Sequence, residues 1–313
     1  MADTKKIGDL DVHPLSLGGN VFGWTADRDT SFEILDAYAA AGGNFVDTAD
    51  SYMASAPGNA GGESETIIGD WMADRRNRDA VVVATKVGRH PGRRGLAPAN
   101  IRAAADDSLR RLRTDRIDLY YTHFDDPSVP VEDIMGTLDE LVRAGKVRNI
   151  AVSNIELDRL EASLEFSERE GTARYVAIQP HYNLVSRDTY EGPRRDLAER
   201  YGLACVPYYG LASGFLTGKY RPGSEVDSPR AGRAGEYLKT ERGRRVLAAL
   251  DLVAEEQGVP VATVALAWLA AQPTVAAPIA SARTLEQLQP LLQLSRTALT
   301  EAQLAALTDA SAG

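Results

Sequence analysis

Apolar runs of strand length alternate with segments of helical periodicity along almost the whole chain. NFVDT (44–48) follows the helix-like TSFEILDAYAAAG, whose Gly42 and Gly43 supply a C-terminal stop. VVVATK (81–86) follows ESETIIGDWMADR, and IDLYYTH (117–123) follows PANIRAAADDSLRRL, where Pro98 suits a first helical turn. The pattern continues with NIAVSN (149–154), VAIQP (176–180), ACVPYY (204–209) and VAAPIA (275–280), each behind its own helical stretch. A helical TLEQLQPLLQ comes last, bent or ended near Pro290.

Seven clear β-α units predict a parallel sheet covered by helices. LSLGG, before Asn20, supplies an eighth strand. Eight units without a compositional break favour an α/β chain folded as a single-domain (β/α)8 TIM barrel over residues 1–313, in preference to a doubly wound sheet. One connection is exceptional: from about 211 to 242 the chain is rich in Gly, Pro, Ser and charge, which predicts a long loop of the kind that serves as a lid or clamp.

Composition narrows the function. The chain of 313 residues is 44% hydrophobic and 25% charged, as expected of a globular protein with ample core. A net charge of −9 argues against a nucleic-acid surface. A single cysteine, Cys205, excludes an intrachain disulfide, and MADTKKIGDL lacks the apolar core of a secretory signal. The most apolar stretch, from Val261, is broken by Gln272 and Pro273 before it could span a membrane. A cytoplasmic location with no membrane association is therefore expected. The four histidines are far apart without ligand-like spacing, so no metal is expected.

In a barrel of this kind chemistry gathers at the C-terminal ends of the strands. Six consecutive strands end in polar side chains: Asp47, with Tyr52 just beyond; Lys86; His123; Ser153 and Asn154; Gln179; and Tyr208. Each alone reads as ordinary: Lys86 with its stem on apolar surface and its ammonium in water, His123 as a core imidazole. Their recurrence on one rim favours a site. A partly buried Lys86 needs an anion, and Asp47 on the neighbouring strand is available. Tyr52 then lies within reach of the cation, which is expected to lower its pKa and make it a proton donor to a developing alkoxide. His123 fits as a second donor to the same carbonyl oxygen. No serine or cysteine nucleophile stands beside a base, so acyl transfer is disfavoured. Hydride must come from a nicotinamide or flavin, yet GGNVFG (18–23) has the wrong spacing for a Rossmann fingerprint and GFLTGKY (214–220) is no P-loop.

With these residues in view the chain resembles the aldo-keto reductases, from LSLGG to EQL. GGNFVDTADSY is similar to that family's Asp-to-Tyr segment, VVVATKVG to its lysine strand and DLYYTHFDDP to its histidine strand. The resemblance implies a tetrad of Asp47, Tyr52, Lys86 and His123 with Tyr52 as general acid, and NADPH (NADP+ when oxidised) as cofactor. It implies that Ser153 and Asn154 hold the nicotinamide carboxamide with Gln179 beside them, and that Tyr208 stacks on the nicotinamide ring. Gly19, Asn20, Gly210, Leu211, Ser213, Gly214 and Lys219 are then expected along the cofactor, the last four at the pyrophosphate. Ser281, Arg283 and Gln287 of PIASARTLEQL are implied at the adenosine end, Arg283 against a 2′-phosphate.

Three departures stand out. Tyr209 and Gly210 follow the stacking tyrosine where family members often have Ser-Pro; Leu291 stands where an asparagine is common; and the chain stops soon after EAQLAALTDA, so that an open pocket is expected. Trp24 and Phe124 are candidate walls for a small-molecule carbonyl substrate. The expected activity is NADPH-dependent reduction of an aldehyde or ketone. Two alternatives remain open: a nicotinamide-binding regulatory subunit that senses redox state, and a reductase specific for a sugar or nucleotide-sugar carbonyl.

Overall fold

A computed structural model describes residues 4–221, 223 and 231–312. The first elements form a small antiparallel hairpin, β1 (Lys5–Ile7) with β2 (Leu10–Val12). There follow β3 (Ser16–Gly18), β4 (Phe45–Asp47) and β5 (Val82–Val87), then a second hairpin of β6 (Arg89–His90) and β7 (Arg93–Arg94). The remaining strands are β8 (Ile117–Thr122), β9 (Val147–Ser153), β10 (Tyr175–Gln179), β11 (Ala204–Cys205) and β12 (Ile279–Ala280). Between them run α1 (Arg28–Ala40), α2 (Glu63–Arg75), α3 (Pro98–Leu112), α4 (Val131–Arg143), α5 (Leu157–Glu170) and α6 (Pro193–Tyr201). The later helices are α7 (Ala231–Lys239), α8 (Glu241–Gln257), α9 (Val261–Ala270), α10 (Leu285–Leu292) and α11 (Glu301–Ala310).

Eight strands share one parallel sheet in the order β11-β10-β9-β8-β5-β4-β3-β12. The sheet closes between its ends: Cys205 forms a parallel bridge with Val275, and the amides of Ala276 and Ile279 donate to the carbonyls of Cys205 and Pro207 at 2.9 Å each. No edge is left unpaired on that side, and the helices cover the outside, which makes a (β/α)8 barrel.

Local chemistry marks the ends of the elements. Asp27 caps α1 by accepting from the Thr30 amide, Pro98 opens α3, and Thr300 with Gln303 forms a capping box on α11. Pro290 is accommodated inside α10, which ends two residues later.

The 211–242 segment is more regular than its composition predicts. Residues Ala212–Thr217 form 3-10 turns, and α7 and the start of α8 occupy Ala231–Lys239 and the positions after it. Composition hid these turns because Gly and Ser favour loops, whereas here Phe215 and Ala234 are buried where the turns and α7 pack on each other and on α8 and α9. Positions 222 and 224–230 of the expected loop lie outside the described residues.

The two-residue period of the strands explains where the polar side chains go. The lumen is filled by Phe45, Ala84, Leu119, Tyr121, Ala151, Ala177 and Val206, with Ile7, Leu10 and Val12 of the first hairpin plugging its N-terminal mouth. Small alanines on three strands leave room for the rings of Phe45 and Tyr121. Two residues after a lumen-filling side chain, each strand presents its next inward position at the open end. That layer consists of Asp47, Lys86, His123, Ser153, Gln179 and Tyr208.

Candidate active site

Lys86 is fully buried (0% exposed), as is Asp47. The ammonium uses all three of its protons: it donates to Asp47 Oδ2 at 2.6 Å, to the Thr48 carbonyl at 2.7 Å and to the Tyr52 hydroxyl at 2.6 Å. Tyr52 in turn donates to Asp47 Oδ2 at 2.8 Å, and Gln179 Nε2 donates to Asp47 Oδ1 at 2.9 Å. Both carboxylate oxygens are thus occupied, as burial of an ion pair demands.

The loop carrying Tyr52 is tied to the lysine strand by its backbone. The Thr48 amide donates to the Ala84 carbonyl at 2.8 Å and the Asp50 amide to the Lys86 carbonyl at 3.3 Å. His123 continues β8, its amide donating to the Val87 carbonyl at 2.9 Å, and its ring stands 6.0 Å from that of Tyr52 in a T-shaped arrangement. Its Nδ1 is buried and among the described residues has no hydrogen-bond partner.

Electrostatics corrects one expectation. The Tyr52 pKa is not lowered on balance; burial first, and then the Asp47 charge, hold the phenol well above its ordinary value. The reason is that Asp47 faces the lysine and the tyrosine together, so the cation is already answered. Burial pulls the Lys86 ammonium down, against the opposing pull of Asp47. His123 lies well below the ordinary imidazole value, through burial and then the charges of Lys86 and Arg89. At neutral pH the cluster therefore holds a protonated phenol and a neutral imidazole, which keeps one ring N–H to donate.

A second network joins this cluster to the far strands. The Tyr208 hydroxyl donates to Asn154 Oδ1 at 2.9 Å, and Asn154 Nδ2 donates to the His123 carbonyl and to Ser153 Oγ, both at 2.9 Å. Ser153 Oγ donates onward to the Gln179 carbonyl at 2.8 Å. Asn154 adopts the left-handed backbone (φ 49°) that asparagine tolerates better than most residues.

These side chains border one cavity of about 610 Å³. Of the expected residues, Asp47, Tyr52, His123, Asn154, Gln179 and Tyr208 line it, as do Trp24 and Phe124. Asn20, Gly210, Leu211, Ser213, Gly214, Lys219, Ser281, Arg283 and Gln287 line it toward the other end. Lys86, Ser153 and Gly19 do not reach the wall. They stand behind it: Lys86 and Ser153 through the bonds above, and Gly19 because a Cβ there would come within 2.8 Å of Ser64 Oγ.

The far end of the cavity fits a phosphorylated ligand. Ala212, Ser213 and Gly214 have consecutive positive φ values of 47°, 58° and 95°, a local backbone turn of the type that forms anion concavities. Lys219 and Arg283 line the same wall, and among the described residues neither is paired with a carboxylate. Gly18 lets Ser281 approach, since a Cβ there would lie 2.5 Å from Ser281 Oγ, which donates to Asn20 Oδ1 at 2.5 Å. Gln287 Oε1 accepts from the Arg283 amide at 3.1 Å, fixing the backbone that carries the guanidinium. Leu291 is buried against this end and offers apolar surface to whatever lies there. Among the described residues no group of three or more His, Cys, Asp or Glu side chains could hold a metal ion. No described helix is long and apolar enough to cross a membrane.

Sequence reading missed three neighbours of the site. His181 stacks on Tyr208 with ring centroids 5.5 Å apart and planes at 19°. Tyr209, read only as a departure, lines the cavity from a left-handed backbone position (φ 57°). Glu286 lines it beside Arg283. A period-2 reading of VPYYG would have placed Tyr208 inward and Tyr209 outward; the backbone turn reverses the second.

The barrel agrees with comparison to known proteins. The chain belongs to the aldo/keto reductase family, whose model matches residues 14–312. It is 33% identical to norsolorinic acid reductase stcV of Emericella nidulans over 300 residues, 90% of this chain and 74% of the relative. It is 31% identical to the NADP(+) aryl-alcohol dehydrogenase of Phanerodontia chrysosporium, covering 96% and 83% of the two chains. Protein tas of Escherichia coli is also 31% identical, with 95% and 93% covered. The protein is thus an oxidoreductase by family.

Proposed function

We propose that the protein reduces aldehyde or ketone carbonyls to alcohols with NADPH, with Tyr52 as the general acid. The observation that carries this reading is the Tyr52 hydroxyl, held at 2.6 Å from Lys86 Nζ and 2.8 Å from Asp47 Oδ2 at the wall of the cavity. When bound, the reduced nicotinamide supplies the hydride that reaches the carbonyl carbon.

The chain's own residues supply everything else. Tyr52 stays protonated until a substrate oxygen arrives, because burial and Asp47 oppose phenolate in the resting state. As negative charge develops on that oxygen, Tyr52 gives up its proton, and the phenolate left behind is met by the Lys86 ammonium already in contact. The bond broken is Tyr52 O–H and the bond formed is the alcohol O–H. His123, neutral, donates a ring N–H to the same oxygen and orients the carbonyl. Asp47 and Gln179 hold the lysine in place. Trp24 and Phe124 confine the substrate, while Tyr208, Asn154 and Ser153 support the nicotinamide end.

At the other end Ser213, Gly214 and Lys219 suit the pyrophosphate, and Ser281, Arg283 and Gln287 the adenosine. Arg283 presents a planar fork that matches phosphate oxygens, which supports NADPH over NADH. The name of one relative, an aryl-alcohol dehydrogenase, favours an aromatic carbonyl as substrate here.

Multiple-turnover oxidation of NADPH with a panel of aromatic and aliphatic aldehydes tests the reading. Steady consumption matched by alcohol formation is expected. Cofactor binding without turnover on any carbonyl, together with capture of a stable partner, would instead favour the regulatory alternative.

A further inference from the structure

Immediately after the lysine strand, the hairpin of β6 and β7 sets Arg89 opposite Arg94 and His90 opposite Arg93. Like charges placed directly across an antiparallel pair repel, so this hairpin is less stable than its geometry allows. Arg93 is answered by Asp107 at 3.2 Å. Arg89 and Arg94 are exposed, and among the described residues neither meets a carboxylate. In a chain of net charge −9, whose overall field repels anions, an unneutralised pair of guanidinium groups at one place is a local exception.

The place is the mouth of the active site. The Arg89 guanidinium lies 4.4 Å from the centre of the Phe124 ring. Phe124 is 39% exposed, lines the cavity, and stands 5.3 Å from the His123 ring. The sequence Tyr52, His123, Phe124, Arg89 is therefore a row of neighbours running from the reacting oxygen outward. A flat substrate with its carbonyl at Tyr52 and His123 and its ring along Phe124 directs its far substituent toward Arg89. That the Arg89 charge already bears on the His123 imidazole agrees with this proximity. The hairpin is anchored for the task by buried Leu96 and by the Gly95 amide, which donates to the Gly88 carbonyl at 3.0 Å.

We propose that Arg89, supported by Arg94, forms an anion subsite at the cavity mouth that selects carbonyl substrates bearing a carboxylate at the end remote from the carbonyl. The inference rests on the carbonyl-reductase reading and adds a charge requirement to it. A guanidinium at a stacked position binds a carboxylate through two parallel N–H donors, while the Phe124 face keeps it from collapsing onto the protein.

The test compares 4-carboxybenzaldehyde with 4-methylbenzaldehyde, which share a ring and a reacting group and differ in charge at the far end. In Arg89→Ala the ratio of kcat/KM values, charged over neutral, is expected to fall about 2- to 5-fold through KM for the charged aldehyde, with kcat little altered. Arg89→Lys should recover part of that ratio. Added salt should lower it in the wild type and leave it nearly flat in Arg89→Ala. An unchanged ratio, or equal losses on both aldehydes, would overturn the subsite and leave Arg89 as packing for Phe124. Binding of 4-carboxybenzaldehyde to the NADP+-saturated protein reads the same contact without turnover. Arg89-dependent binding with no reduction of either aldehyde would thus count against the reductase reading alone, and reduction of both with Arg89-independent binding against the subsite alone.

Discussion

Gln179 donates from Nε2 to Oδ1 of Asp47 at 2.9 Å, joining the end of one barrel strand to the end of another 132 positions earlier in the chain. The bond leaves Oδ2 free for Lys86 and Tyr52 and fixes the carboxylate that holds both. Gln179→Leu removes the donor and leaves a buried charged oxygen unsatisfied, at about 1–3 kcal/mol. Urea unfolding should show a loss in that range, and carbonyl reduction should slow by less than in Tyr52→Phe. Full stability in the variant would mean that Oδ1 finds another donor.

Tyr52→Phe keeps the ring and removes the transferable proton. Reduction should fall by about 10²–10⁴-fold, the usual contribution of a positioned general acid. NADPH affinity should change little, since the hydroxyl contacts Lys86 and Asp47. Near-normal turnover on an aromatic aldehyde would remove Tyr52 from the proton-donor role.

Lys86→Met strands the Asp47 carboxylate in a buried site, which is strongly destabilising, about 3–5 kcal/mol for a pair broken on one side. Asp47→Asn in the same chain removes the stranded charge. The double variant should therefore be more stable than Lys86→Met alone, although inactive like it. Denaturant midpoints of the two singles and the double make the cycle, and simple additivity would contradict the ion pair as the reason.

Asp50 sits between Asp47 and Tyr52 in sequence and is buried, and among the described residues neither of its carboxylate oxygens has a hydrogen-bond partner. Burial, then the nearby charge of Glu65, pushes its pKa up to about 7. The folded protein thus binds a proton more tightly than the unfolded chain does. Between the unfolded value near 4 and about 7 the native state holds more protons, so this residue makes stability fall as pH rises through that window. Asp50→Asn should flatten that fall, and unfolding curves measured from about pH 4 to about pH 7 would show it. Parallel curves for variant and wild type would place the titration elsewhere.

Arg283→Ala should weaken NADPH far more than NADH. A charge-assisted contact to a 2′-phosphate contributes roughly 1.5–3 kcal/mol, a factor of about 10 to 150 in affinity. Fluorescence titration of both cofactors into both proteins reads the difference. Equal losses would mean that Arg283 does not contact the 2′-phosphate.

The alternation of strand and helix was enough to expect the barrel, because period 2 and period 3.6 are local properties written residue by residue. It was also enough to put Asp47, Lys86, His123, Gln179 and Tyr208 on one rim, since each ends its strand. Other features needed the folded chain. Whether the Tyr52 pKa goes up or down depends first on how much water is excluded and then on the charges that folding gathers around the hydroxyl, and neither is a property of spacing. The helix over Ala231–Lys239 forms where composition suggested loop, because it packs on the 212–217 turns and on α8 with Ala234 buried. Tyr209 turns into the cavity through a positive φ that its residue type does not announce. Closure of the sheet by Cys205 and Val275, and the opposition of Arg89 and Arg94 beside Phe124, are pairings between chemically ordinary residues. The sequence determined which side chains each element offers and at what period; the tertiary structure decided which of them share a dry space, and desolvation and charge proximity act only there.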